Sequence, residues 1–136
     1  MSPRRTLSCV LVLASGCLGI EDPGTAPYLA IDRTIIPLGA PVLFSLVNPG
    51  ADTARFWRCC ELAVGVDSKE GSVWRTRTPG ICLAVCRMDP VIVPPHSSLD
   101  GAKTIGVTGQ FRIRVGRYAR PDSLAWDVVS SRFEIR

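Results

Sequence analysis

Cysteine is the residue type with the most evident chemistry in this 136-residue chain, which carries six of them. Cys59 and Cys60 are adjacent, Cys82 and Cys86 are separated by three residues, and the other two lie within the first 17 residues. Closely spaced thiols form disulfides in oxidising compartments and bind zinc as thiolates elsewhere. The compartment therefore decides which chemistry is expected.

The first 17 residues have the layout of an export signal. Arg4 and Arg5 provide positive charge, and Leu7 to Leu13 provide an apolar run. That run matches the roughly 7 to 15 residues of a signal peptide and is shorter than the about 20 that a spanning helix needs. The tetrad Ala14-Ser15-Gly16-Cys17 follows and resembles the bacterial lipoprotein signal. The alternative is an ordinary signal peptide that is cut nearby.

The resemblance to a lipoprotein implies that residues 1–16 are removed and that Cys17 receives acyl chains. Each buried methylene contributes about 0.8 kcal/mol, so several acyl chains form a durable anchor. Leu18 follows the cysteine where lipoproteins kept at the inner membrane often carry Asp, which favours the outer membrane. We expect a location on the periplasmic side of a bacterial cell envelope.

Composition limits the class of the remaining chain. Removal of the signal takes away Arg4 and Arg5 and lowers the formal net charge from +4 to +2. Such a balanced charge does not fit a dedicated nucleic-acid binder. About 120 residues suit one domain with one core. We expect a flexible tether over residues 17–27, rich in Pro, Gly and acidic residues, and a single domain over residues 28–136.

Cys9 leaves with the signal and Cys17 is expected to carry lipid, so four cysteines remain for other chemistry. An exported chain places these four in an oxidising compartment. Cys59 and Cys60 point to opposite faces if they lie on a strand, so their partners must come from different sides. On a straight strand Cys82 and Cys86 would stand about 13 Å apart, whereas a disulfide joins Cα atoms at most about 6.8 Å apart. We therefore predict two disulfides, with Ile81–Arg87 bent into a loop or bulge. A four-thiolate zinc site is the alternative, although adjacent cysteines fit one tetrahedral ion poorly.

Apolar residues recur with the period of two that is typical of strands, and no helical period is sustained. Pro41–Val47 alternates clearly, and so does Phe111–Val115, whose arginines face the opposite way from Phe111 and Ile113. Ala54–Val66 is also rich in strand-forming residues, with an interruption or bend expected at Gly65. About seven to nine short strands separated by turn signals predict an all-β antiparallel sandwich.

The order of these elements resembles that of small bacterial immunoglobulin-like lipoproteins. The resemblance is carried by Pro41–Asn48, Trp74, Gly109–Arg114 and Ser130–Ile135, and it spans most of residues 28–136. In strand rhythm the chain is also similar to the intracellular proteinase inhibitor family. These likenesses imply an immunoglobulin-like β-sandwich and transfer no mechanism by themselves.

The densest basic run is a candidate contact for anionic lipid headgroups or an acidic partner, and a simple solvated strand face is the alternative. Its members are Arg112, Arg114, Arg117 and Arg120. His96, the only histidine, lies in a turn-like Pro-Pro-His-Ser-Ser segment without a recognisable nucleophile or orienting acid. The carboxylates show no pairing typical of glycosidases or metal sites. We identify no catalytic residue, and we expect no metal and no cofactor.

The three tryptophans, Trp57, Trp74 and Trp126, could form a sugar-stacking platform, but at least two of them are expected to be core or partly buried residues. We predict a non-enzymatic binding or assembly module, tethered to the membrane, with another envelope protein as partner. Asp67–Gly71 and Met88–Asp100 are the expected recognition loops. The alternative is an extracytoplasmic proteinase inhibitor that uses Pro90–Pro95 as a rigid, substrate-like segment.

Overall fold

The computed structural model describes residues 24–59, 61–77, 89–118 and 126–136. All regular elements in these ranges are strands, and they form an immunoglobulin-like β-sandwich of two sheets with a small accessory hairpin, which confirms the predicted fold class. The predicted number of seven to nine strands was too low, because the described ranges contain thirteen and several of them have only two or three residues. Within the same ranges, no helix has the length and apolar character needed to cross a bilayer. The strands are β1 (Tyr28–Ile31), β2 (Ile35–Ile36), β3 (Pro41–Asn48), β4 (Ala54–Phe56), β5 (Arg58–Cys59), β6 (Glu61–Leu62), β7 (Val64–Glu70), β8 (Val73–Arg77), β9 (Val91–Val93), β10 (Ser97–Thr104), β11 (Gly109–Arg117), β12 (Trp126–Val129) and β13 (Phe133–Ile135).

The smaller sheet has the order β1-β3-β10, and both outer strands run antiparallel to β3. The alternation predicted for β3 is present, because Val42, Phe44 and Leu46 are buried against the other sheet while the residues between them face outward. Gly101 of β10 lies opposite Phe44, and a Cβ at position 101 would overlap the Phe44 ring. The absent side chain at Gly101 therefore leaves room for the ring.

The larger sheet is organised around β11, the longest strand. The strands β7 and β4 pair along one side of β11, and β12 and β13 pair along the other. Beyond them, β2 runs parallel to β13, β8 pairs with β7, and β9 pairs with β4. Phe111, Ile113 and Val115 face the core, so Arg112 and Arg114 face outward. The period-two pattern of this segment predicted these directions.

Between β4 and β7, which pair with the same side of β11, the chain leaves the sheet and forms the β5–β6 hairpin. Trp57 donates its backbone N–H to the carbonyl oxygen of Gly116 at 2.9 Å, and Ala63 donates to the carbonyl oxygen of Trp57 at 3.0 Å, which closes the base of the hairpin. The sequence predicted a break at Gly65, and this was wrong because Gly65 lies within β7 and pairs with Arg114. The break occurs about eight residues earlier, where the chain leaves β11 after Phe56.

The core lies between the two sheets and is built mainly from phenylalanine and aliphatic side chains. Phe111 and Phe133 pack with ring centroids 6.3 Å apart and planes tilted by 31°. Asn48 is also buried, and its Nδ2 donates to the carbonyl oxygens of Asp52 at 2.8 Å and Val93 at 3.0 Å. These bonds satisfy a buried amide and join the end of the smaller sheet to β9 of the larger one.

The residues that precede β1 already pack against the domain. Thr25 to Pro27 line a cavity of about 230 Å³ together with Asn48 and Arg117. A Cβ on Gly50 would lie 3.0 Å from the carbonyl oxygen of Thr25, so the backbone of the two segments is in close approach. The last residues of the expected tether over 17–27 therefore lie against the domain.

Both segments expected to be recognition loops are partly strand. Asp67 to Glu70 belong to β7, where Asp67 and Ser68 are buried, and only Gly71 and Ser72 form the turn. In the second segment, β9 occupies Val91–Val93 and β10 starts at Ser97. The prediction that these segments are loops was therefore wrong for the residues of β7, β9 and β10, which pair with neighbouring strands.

The segment Pro90–Pro95 also differs from the exposed, substrate-like segment that the inhibitor alternative requires. Val91 and Val93 are buried, and β9 pairs with β4 in register Ala54 to Val93. The predicted open form of Pro90–Pro95 was therefore wrong, because β9 has one side paired and two side chains in the core. The inhibitor alternative itself stays a prediction.

The residues predicted to carry cysteine chemistry lie mostly outside the described ranges. Cys17, Cys60, Cys82 and Cys86 fall there, together with the predicted bend at Ile81–Arg87. Of Cys59, the backbone is described and pairs with Glu61 in the β5–β6 hairpin. Lipid attachment and the two disulfides remain predictions.

Candidate functional site

The candidate site lies on the outer face of the larger sheet, where β8, β7 and β11 are adjacent. Register places Asp67 opposite Arg112 on one side and opposite Thr76 on the other. Because strand residues alternate in direction, Gly65 and Arg114 share this face with them. The site is therefore a row of side chains that crosses three strands.

Asp67 occupies the centre of the row and is completely buried, with a side-chain exposure of 0%. Its Oδ2 accepts a hydrogen bond from Nε of Arg112 at 2.8 Å and another from Nη2 of Arg114 at 2.6 Å. The two arginine side chains are 27% and 26% exposed, so their remaining surface reaches solvent. One carboxylate thus holds two guanidinium groups at the surface of the sheet.

The ionisation of Asp67 depends on these two arginines. Burial acts to raise the pKa of the carboxyl group, because a charged group loses hydration inside a protein. Hydrogen bonds from Arg114 and Arg112, together with the positive charge of Arg114, act in the opposite direction and outweigh burial. The pKa of Asp67 is therefore lowered, and the carboxylate is ionised at neutral pH.

Arg112 is also fixed by an aromatic ring. Its guanidinium carbon lies 4.5 Å from the centroid of the Trp74 ring, within the range of a cation–π interaction. Among the described residues, the terminal nitrogens Nη1 and Nη2 of Arg112 have no hydrogen-bond partner. The group is thus oriented by Asp67 and Trp74 and retains donors for a ligand.

The stem of Arg114 lies over a glycine. A Cβ at Gly65 would be 2.9 Å from Cγ of Arg114, closer than Cβ atoms normally approach. Gly65 therefore allows the arginine stem to lie flat against β7, from which its head reaches Asp67. The sequence pattern at Gly65 predicted a bend, whereas the structure assigns the glycine to this close approach.

Further along the same face, Trp57 packs on Gly116 and Tyr118. A Cβ on Gly116 would be 2.9 Å from Cδ1 of Trp57. The rings of Trp57 and Tyr118 are 4.7 Å apart and nearly perpendicular, at 71°. Trp57 and Trp74 are both partly buried on the outer face, so neither is the tryptophan between the sheets expected of such sandwiches. The side chain of Trp126 lies outside the described set.

The four arginines predicted as one basic run do not form one cluster. Arg112 and Arg114 meet at Asp67, whereas Arg117 lines the separate cavity beside Thr25 and Asp52. Arg120 lies outside the described residues. The part of the run that the structure brings together is therefore the first pair.

His96 is exposed in the turn between β9 and β10, as its neighbours predicted. It has a positive φ of 52°, and its backbone N–H donates to the carbonyl oxygen of Gly50 at 3.2 Å. Within the described ranges, no group of three or more His, Cys, Asp or Glu side chains could hold a metal ion.

Sequence reasoning missed Asp67 as the centre of the site. Val64–Glu70 carries Gly65, Asp67 and Lys69 at alternate positions, which is the pattern of one strand face. Two arginines at alternate positions of another strand require a counter-charge when that face is partly buried. This combination was the available signal, and assigning Asp67 to a loop concealed it.

No protein-family model matches the chain. No curated protein matches it either. Solved structures similar to it include the Pseudomonas fluorescens alkylpurine DNA glycosylase AlkC bound to DNA containing an abasic site analog, at 12% identity and a TM-score of 0.40. The match covers 81% of this chain and 30% of the glycosylase, so the chain spans less than a third of that protein.

A second similar structure is the ASH/PapD-like domain 7 of human CEP192, at 12% identity and a TM-score of 0.33. That match covers 98% of this chain and 94% of the domain. What is established for this chain is its fold, an immunoglobulin-like β-sandwich formed by its own strands and their pairing.

Proposed function

We propose that this protein is a lipid-anchored, non-enzymatic binding module of a bacterial cell envelope that presents the outer face of its larger sheet to an acidic protein partner. The anchor is Cys17, and the contact surface is the row formed by Trp74, Arg112, Asp67 and Arg114. One observation carries the proposal: the completely buried carboxylate of Asp67, which fixes two partly exposed guanidinium groups.

Stability alone does not account for this arrangement. Replacing a buried ion pair with apolar residues of similar size is often neutral or stabilising by about 1–4 kcal/mol. A chain that keeps Asp67, Arg112 and Arg114 together therefore gains little folding stability from them. The arrangement does improve binding to carboxylates, because it holds two permanently charged guanidinium groups in a fixed orientation. Guanidinium binds a carboxylate through two parallel hydrogen bonds.

Fixing Arg112 in advance also favours binding. An arginine that is free in solution loses rotamer entropy of about 0.5–1.5 kcal/mol when an interface immobilises it. Contacts with Asp67 and Trp74 have already removed much of that freedom. Tryptophan and arginine are also the residue types that most often dominate binding energy at interfaces.

The position of the anchor is compatible with a partner near the membrane surface. Residues 18–24 could span at most about 25 Å between an acylated Cys17 and the packed chain at Thr25. This distance limits the domain to partners that are themselves in or close to the envelope membrane.

A photo-crosslinking experiment in intact envelopes tests the contact surface. A photoreactive residue at Thr76, exposed on this face, should give a discrete crosslinked product. The same residue at Thr104, exposed on the outer face of the smaller sheet, is the matched control and should not. Arg112→Gln should remove the Thr76 product. Equal products from both positions, or a product formed only with lipid, would contradict the proposed surface.

Fractionation tests the anchor independently of the surface. Wild-type protein should incorporate labelled palmitate and sediment with membranes, whereas Cys17→Ala should do neither. Cys9→Ala is the control, because Cys9 lies within the expected signal and leaves with it. Membrane association of Cys17→Ala at the wild-type level would reject the lipid anchor and leave the crosslinking result unaffected.

A further inference from the structure

We infer that the acidic partner supplies an extended segment that pairs, as an added strand, with the outer edge of β8. The inference rests on the function proposed above and specifies how the partner reaches the site around Asp67. The strand β8 spans Val73–Arg77 and, among the described residues, pairs with β7 alone. A strand that pairs on one side only presents N–H and C=O groups at a regular spacing, which another extended chain can match.

The hydrogen-bond pattern of the larger sheet shows which way each backbone group points. In an antiparallel ladder both backbone groups of a residue point to the same neighbouring strand, and successive residues point to opposite neighbours. Ser130 donates its N–H to the carbonyl oxygen of Ile113 at 2.8 Å, so Ile113 of β11 bonds on the β12 side. Arg112, the adjacent residue, therefore bonds on the β7 side, where it lies opposite Asp67.

The same alternation continues into β8. Asp67 bonds towards β11, so its neighbour Ser68 bonds towards Arg75 of β8. Trp74 and Thr76 lie on either side of Arg75 and direct their N–H and C=O groups away from β7. The outer edge of β8 therefore offers the backbone donors and acceptors of these two residues to an added strand.

The side chains that border this edge are positively charged. Arg75 and Arg77 are exposed on one face of β8, and Arg112 lies on the other face. Arg77 donates from Nε to Oγ of Ser68 at 3.2 Å and, among the described residues, forms no ion pair. Arg75 pairs with Glu70 at 2.8 Å, but both side chains are exposed, so the pair is weak. An acidic strand would meet guanidinium groups on both faces of the edge.

These charges select the sequence of the added strand. Charged side chains on an edge strand disfavour pairing with an apolar or basic strand, and an acidic strand turns the same charges into attraction. In the added strand, the residue opposite Thr76 faces the side of Arg112, and the residue opposite Arg77 faces the side of Arg77. The favoured segment therefore has two adjacent acidic residues followed by residues that favour strands.

A designed peptide tests the inference. The peptide acetyl-Thr-Glu-Glu-Val-Thr-Val-Thr-amide places its two Glu opposite Arg77 and Thr76 when it runs antiparallel to β8, the slightly more stable direction. It is titrated into the purified chain carrying Cys17→Ser, so that the expected anchor is absent, and amide hydrogen exchange is followed by NMR. We expect the amides of Trp74 and Thr76 to become protected. Arg75, which already bonds to β7, should change little.

Backbone methylation separates strand pairing from simple charge attraction. N-methylation of the second Glu and the central Thr blocks the amides that face β8 and should weaken binding about five- to 150-fold. N-methylation of the two Val residues blocks amides that point away from β8, so this matched control should retain most of the affinity. Equal loss from the two methylated peptides would overturn strand pairing.

Charge substitutions test the selectivity. Replacing both Glu of the peptide with Gln should weaken binding about two- to thirtyfold, because two partly exposed ion pairs are lost. Arg77→Gln should weaken binding of the Glu peptide by up to about fivefold and leave that of the Gln peptide unchanged. Arg33→Gln is the control, because Arg33 is an exposed arginine outside β8, and it should leave both affinities unchanged.

The position of the protected amides decides between outcomes. Leu62 and Gly101, which line a separate cleft of about 380 Å³ between the two sheets, should not respond to the peptide. A response there without protection of Trp74 and Thr76 would overturn the inference. Charge-dependent binding without that protection would also overturn strand addition, yet would leave the proposed acidic partner intact. Protection of both amides in the free chain would show that the chain itself, or a second copy if protection depends on concentration, already covers the edge, which would overturn the inference too.

Discussion

The two outer faces of the sandwich each carry an aspartate, and the two aspartates differ in burial and in their partners. On the larger sheet, Asp67 is completely buried and binds Arg112 and Arg114. On the smaller sheet, Asp100 is exposed and accepts a hydrogen bond from Ser45, with the exposed apolar side chains of Leu43 and Tyr28 on the same face. Both aspartates lie at outward positions of strands, so strand alternation does not distinguish them.

The difference comes from what the neighbouring strands supply. Asp67 lies on an inner strand, with β8 on one side and β11 on the other, so long arginine side chains cover it. Asp100 lies on β10, whose pairing among the described residues is with β3 alone. A carboxylate on an outer face is therefore buried only where flanking strands carry long, oppositely charged side chains.

The largest effect is expected when each carboxylate is removed in turn. Asp67→Ala should lower the free energy of unfolding by about 3 kcal/mol, because two partly buried guanidinium groups lose their shared counter-charge. Asp100→Ala should change it by about 0.5 kcal/mol or less. Urea unfolding measures both values. Equal effects of the two substitutions would mean that burial of Asp67 does not matter for folding.

Glycine substitutions compare how tightly the two sheets are packed. Gly101→Ala should cost about 2–3 kcal/mol, because the new Cβ meets the buried Phe44 ring. Gly65→Ala should cost about 1 kcal/mol, since the flexible stem of Arg114 can shift. Gly106→Ala has open space around the new Cβ and should be neutral or stabilising by about 0.5 kcal/mol. Thermal unfolding measures the series, and a Gly65→Ala cost larger than that of Gly101→Ala would reverse the expected order.

Acid should weaken the larger sheet through Asp67. Its pKa is lowered from 3.8 in the folded state, so its ionised form stabilises the fold fully above that value. This contribution is lost as pH falls from 3.8 through the lower pKa of the folded state. The stability difference between wild type and Asp67→Asn should therefore shrink below about pH 4. Glu134, whose pKa is lowered mainly by its hydrogen bond with Arg136, is present in both proteins and cancels.

A constant difference between wild type and Asp67→Asn from pH 7 to about pH 2 would contradict a lowered pKa of Asp67. Urea midpoints measured across this range provide the comparison. The effect should be smaller than that of Asp67→Ala, because a protonated carboxyl group keeps its volume and can still accept a hydrogen bond.

The smallest effect is expected from the aromatic residue over Arg112. Trp74→Leu should cost about 0.5–1 kcal/mol by removing the cation–π contact. Tyr28→Leu on the other outer face is the control, because in the described part of the chain no cation lies over its ring, and it should cost less. A Trp74→Leu value no larger than that of Tyr28→Leu would show that the contact has no net energy.

Particular segments show how far the sequence could be interpreted. In Gly109–Arg117 and Pro41–Asn48 the apolar residues alternate without a break, so both the strand and its buried face were predictable. In Ala54–Val66 the apolar residues continue through the β5–β6 hairpin, so the interruption could not be located. Pro90–Pro95 appeared to be an open loop because prolines flank it, yet its valines pack into the core.

The sequence by itself determined the class of fold, the two long alternating strands and the outward direction of Arg112 and Arg114, because these depend on the local period of two. Only the tertiary structure decided which residues those arginines bind and which cleft lies between the sheets. Asp67 is 45 residues from Arg112 along the chain, and the lining of the cleft between the sheets comes from six strands, β3, β5, β6, β7, β9 and β10. Such contacts depend on strand order and register, which are set by the packing of the whole sandwich.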